Sequence, residues 1–255
     1  MITLKSAREL ALMREAGRIV AEVLAVLSEK TKPGVTTGEL DKIAEGIILS
    51  HNATPAFKGY GGARGRPAFP ATICASINNE VVHGIPGPVA LKEGDILSID
   101  VGACRNGYFG DAAKTVPVGK ISPESARLVA ICRESLARAI RSVKPGGKLS
   151  DVSRTIQQYV ELNGCSVVRK FVGHGIGSQM HEDPQIPNYV AADFPDLVLK
   201  PGMTLAIEPM VNQGGHRVRT ESNGWTVVTE DGSLSAHFEH TVAVTREGAE
   251  VLTLP

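Results

Sequence analysis

The sequence is poor in aromatic residues, has no excess charge of either sign, and carries few, scattered cysteines. Phe, Tyr and Trp make up only 4% of the 255 residues. That is too few rings for the aromatic platforms on which unpaired bases stack. Lys plus Arg number 27 and Asp plus Glu number 27, so the formal charge is zero. Nucleic-acid-binding chains carry a basic excess, and none is visible here. Cys74, Cys104, Cys132 and Cys165 lie far apart, with no Cys-x-x-Cys. This excludes a zinc ribbon or finger and argues against a disulfide scaffold. No apolar run approaches the roughly 20 residues of a membrane span. Lys5, Arg8, Glu9, Arg14, Glu15 and Arg18 interrupt the N-terminus, which does not read as a signal peptide. Hydrophobic residues, at 42%, outweigh charged ones, at 21%. Such a chain buries a core rather than staying disordered. A soluble, reduced, cytoplasmic protein is expected, with no nucleic-acid or membrane partner.

What is present falls into two similar halves. Leu10, Met13, Ile19, Val20, Val23, Leu24 and Leu27 recur at helical spacing, up to Lys32-Pro33-Gly34. Thr36 and Glu39 form a capping-box pattern before a second helix through Leu40, Ile43, Ile47 and Ile48. Residues 57–70 are rich in Gly, Pro and Arg and read as a mobile surface loop. Short β-rich runs fill 71–118. The order then repeats: helices over 123–143 and 150–162, separated by Lys144-Pro145-Gly146, then short strands from Val167. Residues 91–100 (LKEGDILSID) and 199–208 (LKPGMTLAIE) agree at five of ten places and set Asp100 opposite Glu208. A shared turn-plus-strand pattern explains part of this. Internal duplication explains all of it. The expectation is an α+β fold, one domain over 1–255 with half-repeats near 5–120 and 121–250. Helices would cover one face of a mainly antiparallel sheet.

Asp100 stands in the alternating run Ser98-Ile99-Asp100-Val101-Gly102, although aspartate is a poor strand former. Asn106-Gly107 marks a turn. A hairpin turning about Arg105-Asn106 pairs position i with 211 − i and sets Asp111 opposite Asp100. Like charges directly across a pair of strands repel. A shared proton, a cation or exposure to water relieves them, and the small apolar neighbours argue against exposure. His174 lies in Gly173-His174-Gly175-Ile176-Gly177, where glycines leave room to reach a ligand. Glu208 ends the apolar run Thr204–Ile207, and Glu239 lies in a strand entering the core. Taken singly, each reads as a satisfied structural group. Together they are four carboxylates and one imidazole in segments expected to be buried. Two divalent cations would balance that charge. An oxygen-rich set without thiolate suits Mn, Fe(II) or Co, and also Zn. Two such ions can hold a hydroxide that attacks an amide or ester. His237 and His240 flank Glu239 and are expected on the strand face opposite it, as structural neighbours rather than ligands.

Asn79–Pro86, Ser98–Gly102, Gly110-Asp111, Gly173–Gly177, Ile207-Glu208-Pro209 and Phe238–Thr241 together make the chain resemble the type I methionine aminopeptidases. These belong to peptidase family M24, with the creatinase-like "pita-bread" fold. The resemblance spans residues from about 5 to 250. It implies two divalent metals, with Asp100 on the first, Asp111 and Glu239 bridging, and His174 and Glu208 completing the second. It implies Glu208 as general base, and His83 and His181 as groups that contact substrate and stabilise the tetrahedral intermediate. Phe69, Cys74, Met180 and Trp225 match the methionine pocket, though the lone Trp also reads as a core residue. Phe69 and Met180 stand where Tyr and Phe are more usual, and Arg66 replaces another aromatic. The implied reaction removes N-terminal methionine from nascent polypeptides with a small second residue, by attack of a metal-bridging hydroxide. Cytoplasmic N-termini near the ribosome would be the partners, and a monomer is expected. A proline-specific peptidase of the same fold and a metal-free binding module are the competing readings.

Overall fold

The structure, a computed structural model, describes residues 2–62, 67–191, 194 and 196–255. Helix α1 (Ala7–Lys30) begins in a full capping box, in which the Ser6 side chain and the Glu9 side chain each satisfy the other's backbone amide. Met13, Ile19, Val20, Val23, Leu24 and Leu27 form its buried stripe. The Thr31 hydroxyl donates to the Leu27 carbonyl at 2.8 Å and closes the last turn. Helix α2 (Thr37–Ser50) starts at the expected box of Thr36 and Glu39. Helix α3 (Pro123–Ser142) is capped by Ser122 with proline in its first turn, and helix α4 (Leu149–Leu162) follows. Each helix pair lies over its own apolar core: Ile19 to Leu27 with Leu97, Ile99 and Val101 in one, and Leu128 to Val160 with Leu205 and Val242 in the other.

Beneath the helices runs a nine-stranded sheet whose pairings are all antiparallel. Strand Glu239–Val244 sits at its middle. On one side it pairs with Tyr108–Pro117 and on the other with Thr204–Ile207. Strand Ile96–Arg105 extends the first half outward, and Gly173–Gly175 extends the second. Every acidic candidate therefore lies on or beside the central strands. The halves also share details. Gly34 and Gly146 donate to the Leu91 and Leu199 carbonyls at 2.8 Å each. Leu91 and Leu199 return bonds to Val35 and Gly147 at 2.9 and 2.8 Å.

The hairpin register differs from the expectation. Asn106 (φ 52°) and Gly107 (φ 80°) form the two-residue turn, so the turn centre is one residue later than Arg105-Asn106. Asp100 pairs with Ala113, and Asp111 pairs with Gly102. The two aspartates are diagonal rather than directly opposed. A shift of two places keeps both on one face, because side-chain orientation repeats every second residue. Among the described residues of the surface loop expected over 57–70, positions 58–62, 67, 68 and 70 are exposed, while two aromatic side chains turn inward. Phe57 and Phe69 are buried, with Phe69 edge-on to Trp225 at 5.2 Å. Residues 63–66, Arg66 among them, lie outside the described residues.

Helix α1 reaches the sheet through glycine. A Cβ at Gly17 would collide with the Leu252 carbonyl oxygen, and a Cβ at Gly110 would press on the backbone of α1 at Gly17. Gly110 directly precedes Asp111, so this approach seats a candidate ligand. Replacing Gly17 by Ala should destabilise the fold by about 1–3 kcal/mol, the usual range for overpacking. The change would appear as a lower urea midpoint; an unchanged midpoint would mean that the helix has slack here.

Candidate metal centre and active-site cavity

Four neighbouring strands bring the acidic groups together. Glu239 pairs with Ala113, and His240 pairs with Ala112 on one side and Ile207 on the other. The Asp111 amide donates to the Thr241 hydroxyl at 3.0 Å, and that hydroxyl donates to the Asp111 carbonyl at 2.8 Å. These bonds lock the two halves together beside the carboxylates. Asp111 and Glu239 are almost wholly buried. His174 Nε2 stands 3.8 Å from Asp111 Oδ2 and 3.6 Å from Glu208 Oε1. Asp111, His174 and Glu239 can each offer one ligand atom within a 4.8 Å cluster, and so can Glu208, His237 and Glu239. Asp100 lies beside Asp111, close enough to share a hydrogen bond with it.

The electrostatics show what is missing. Burial pushes the Asp111, Glu208 and Glu239 carboxyls well above the usual carboxylate range, and repulsion from one another pushes them further. Burial also raises Asp100. Neither Lys nor Arg lines the cavity among its described residues. The histidines do not supply positive charge. Burial, with a smaller contribution from His181, lowers His174 to about 3, and burial lowers His237 to about 3. His174 Nδ1 lies 2.8 Å from the Gly175 carbonyl. In the neutral ring the proton belongs on Nδ1, which donates to that carbonyl and leaves an Nε2 lone pair facing the carboxylates. Lone pairs face lone pairs across gaps too long for hydrogen bonds. Asp100 Oδ1, Asp111 Oδ1, Glu239 Oε1 and His237 Nε2 are buried without a hydrogen-bond partner among the described residues. Such orphaned donor atoms suit divalent cations held by oxygen and imidazole.

The same groups line a cavity of about 210 Å³. Part of its lining is apolar. Phe69, Cys74, Met180 and Trp225 are all buried there, and Trp225 Nε1 donates to the Pro67 carbonyl at 2.9 Å. Burial and the facing carboxylates keep the Cys74 thiol protonated. His83 and His181 stand at the rim. His83 holds a left-handed backbone (φ 59°), a strain met at functional sites, and its ring meets Phe171 at 5.6 Å. His181 stacks 4.2 Å from His174, and the Tyr60 hydroxyl lies 2.7 Å from its Nδ1.

The chain matches the pattern of "Metallopeptidase family M24" over residues 11–246. It belongs to metallopeptidase family M24. A methionine aminopeptidase of Clostridium perfringens is 54% identical, over the whole chain and 99% of that protein. Methionine aminopeptidase 1 of Bacillus subtilis is 53% identical, over 99% of each chain. The crystal structure of the Thermotoga maritima methionine aminopeptidase superposes with a TM-score of 0.95, at 46% identity and full coverage of both chains. The curled antiparallel sheet with four helices is the pita-bread fold.

In this M24 chain all the site candidates read from the sequence converge on one cavity: Asp100, Asp111, His174, Glu208 and Glu239, then His83 and His181, then Phe69, Cys74, Met180 and Trp225. Three features escaped the sequence. His237 does not point away from Glu239. Residues two apart share a strand face, and its Nε2 lies 3.8 Å from Glu239 Oε2 and 4.0 Å from Glu208 Oε2. Only His240 turns away, to the Thr253 hydroxyl at 2.8 Å. Tyr60 supplies an aromatic ring to the cavity, and Phe171 supplies another. Tyr60 sits in a Gly-rich stretch with no periodicity to mark it.

The raised carboxyls give a signed pH effect. In chelator-treated protein the folded state holds more protons than the unfolded chain. This contribution to stability is complete below about pH 4 and is lost as pH rises through the folded values. The lowered His174 and His237 oppose this up to about pH 6.5, the unfolded histidine value, so urea midpoints of chelated protein should fall above it, from about pH 7 to 8. A divalent cation at 100 times its Kd should add about 2.7 kcal/mol and flatten the slope. A midpoint that ignores both pH and cation would show that these carboxyls find relief elsewhere.

Proposed function

We propose that the chain acts as a methionine aminopeptidase of the short type I form, hydrolysing the bond after N-terminal methionine. The observation that carries this reading is the convergence of Asp100, Asp111, His174, Glu208 and Glu239, orphaned atoms and all, beside an apolar pocket. These five side chains would hold two divalent ions, with Asp111 and Glu239 shared. When bound, the ions supply Lewis acidity and a water acidified towards neutrality.

The chain's own residues do the rest. The apolar wall of Phe69, Cys74, Met180 and Trp225 takes the methionine side chain and excludes water from it. Glu208, among the carboxylates lining the cavity, takes a proton from the attacking water and passes it to the leaving amine. Burial keeps His181 neutral, able to donate a hydrogen bond to the carbonyl oxygen as negative charge develops there. His83, set across the cavity by its left-handed backbone, orients the second residue of the substrate. Nascent chains with a small second residue would be the substrates, met in the cytoplasm near the ribosome by a monomeric enzyme. No described helix is long and apolar enough to cross a membrane. We also propose that the chain is one catalytic domain of two half-repeats, about 5–120 and 121–250, supported by the matching turn bonds of the halves.

Turnover of Met-Ala-Ser with a divalent cation present tests the assignment. The wild-type chain should cleave it and leave Ala-Pro intact. Asp111→Ala should abolish cleavage without unfolding. His181→Ala should lower kcat about 10²–10³-fold, the usual cost of one oxyanion donor. Preference for Ala-Pro, or an active Asp111→Ala, would sink the reading.

A further inference from the structure

Outside the groups assigned so far lies a buried ion pair. Lys5 Nζ donates to Glu182 Oε2, and their side chains are only 4% and 12% exposed. Buried pairs of this kind are costly to desolvate and are weak evidence for stability alone. This one has a particular location. Lys5 belongs to the segment before α1, and its amide donates to the Gly202 carbonyl at 2.7 Å. Its ammonium also donates to the Thr3 carbonyl at 3.3 Å. Glu182 opens the strand Glu182–Ile186. Its second oxygen, Oε1, accepts the Gln179 amide at 3.1 Å.

The two residues between those contacts are Met180 and His181, which face the cavity. The carboxylate thus spans the loop that carries one pocket wall and one rim histidine, and Lys5 holds that carboxylate from behind. Gly177 is part of the same arrangement. A Cβ there would fall on Lys5 Cε and Glu182 Oε1, so the loop closes tightly over the pair. The Gly177 carbonyl accepts the Phe109 amide at 2.9 Å and pins the other end.

We propose that Lys5 and Glu182 are positioning residues: a clamp that sets Met180 and His181 against the substrate. The proposal rests on the reading of Met180 and His181 given above. A displacement of about 1 Å at a group that orients substrate costs turnover steeply, up to about 10²-fold.

A neutral double variant separates positioning from stability. Lys5→Met alone leaves a buried carboxylate unpaired and should lower the melting temperature. Lys5→Met with Glu182→Leu leaves no lone charge and should melt close to wild type. In the metal-loaded double variant, kcat/KM on Met-Ala-Ser should still fall roughly tenfold or more. Amide exchange over residues 177–182, followed by mass spectrometry, should quicken because Gln179 has lost its acceptor. A double variant with wild-type exchange, or with wild-type kcat/KM, overturns the clamp. Should the wild-type chain fail on Met-Ala-Ser, the functional reading falls and exchange alone decides the clamp.

Discussion

Four carboxylates cannot share one water-poor cavity without positive charge. The repulsion among Asp100, Asp111, Glu208 and Glu239 is the constraint on which the rest of the molecule turns. No basic side chain among the described lining residues relieves it, and the histidines nearby are held neutral. Divalent cations relieve it, and the donor atoms that would meet them are already aimed inward with nothing else to bond. The helices, the central strand and the glycine contact of α1 keep these groups in place against their mutual repulsion.

That arrangement explains the economy of the chemistry. One cavity wall is charged and ready for cations, while the other is apolar and ready for an unbranched thioether side chain. The histidines between them are uncharged, and His174 turns an Nε2 lone pair rather than a proton towards the carboxylates. Their neutrality comes from the same burial that strains the carboxylates, so one physical cause prepares both the metal side and the substrate side.

Much of this was legible in the residues. Capping boxes, apolar periodicity and aspartate or glutamate at strand positions are local signals, and they located the helices and the four acidic candidate ligands. What was less legible depends on spatial relations. Asn106 and Gly107 both take positive φ, and this moved the hairpin register by two places while sparing the face on which Asp100 and Asp111 lie. His237 stands two residues before Glu239, and its ring lies beside that carboxylate rather than on the opposite face. Tyr60 lies in an irregular stretch, where no period says which way a side chain points. Its role follows only from the partner it meets, His181, 121 residues away.

The seam between the halves has a consequence for how this activity could be dismantled. Asp100 and Asp111 come from the first half, and His174, Glu208 and Glu239 from the second, with Thr241 reaching across to the Asp111 backbone. Neither half carries all five candidate ligands. Severing the polypeptide near residue 120 would part Asp100 and Asp111 from His174, Glu208 and Glu239, and peptide hydrolysis would become a measure of reassociation.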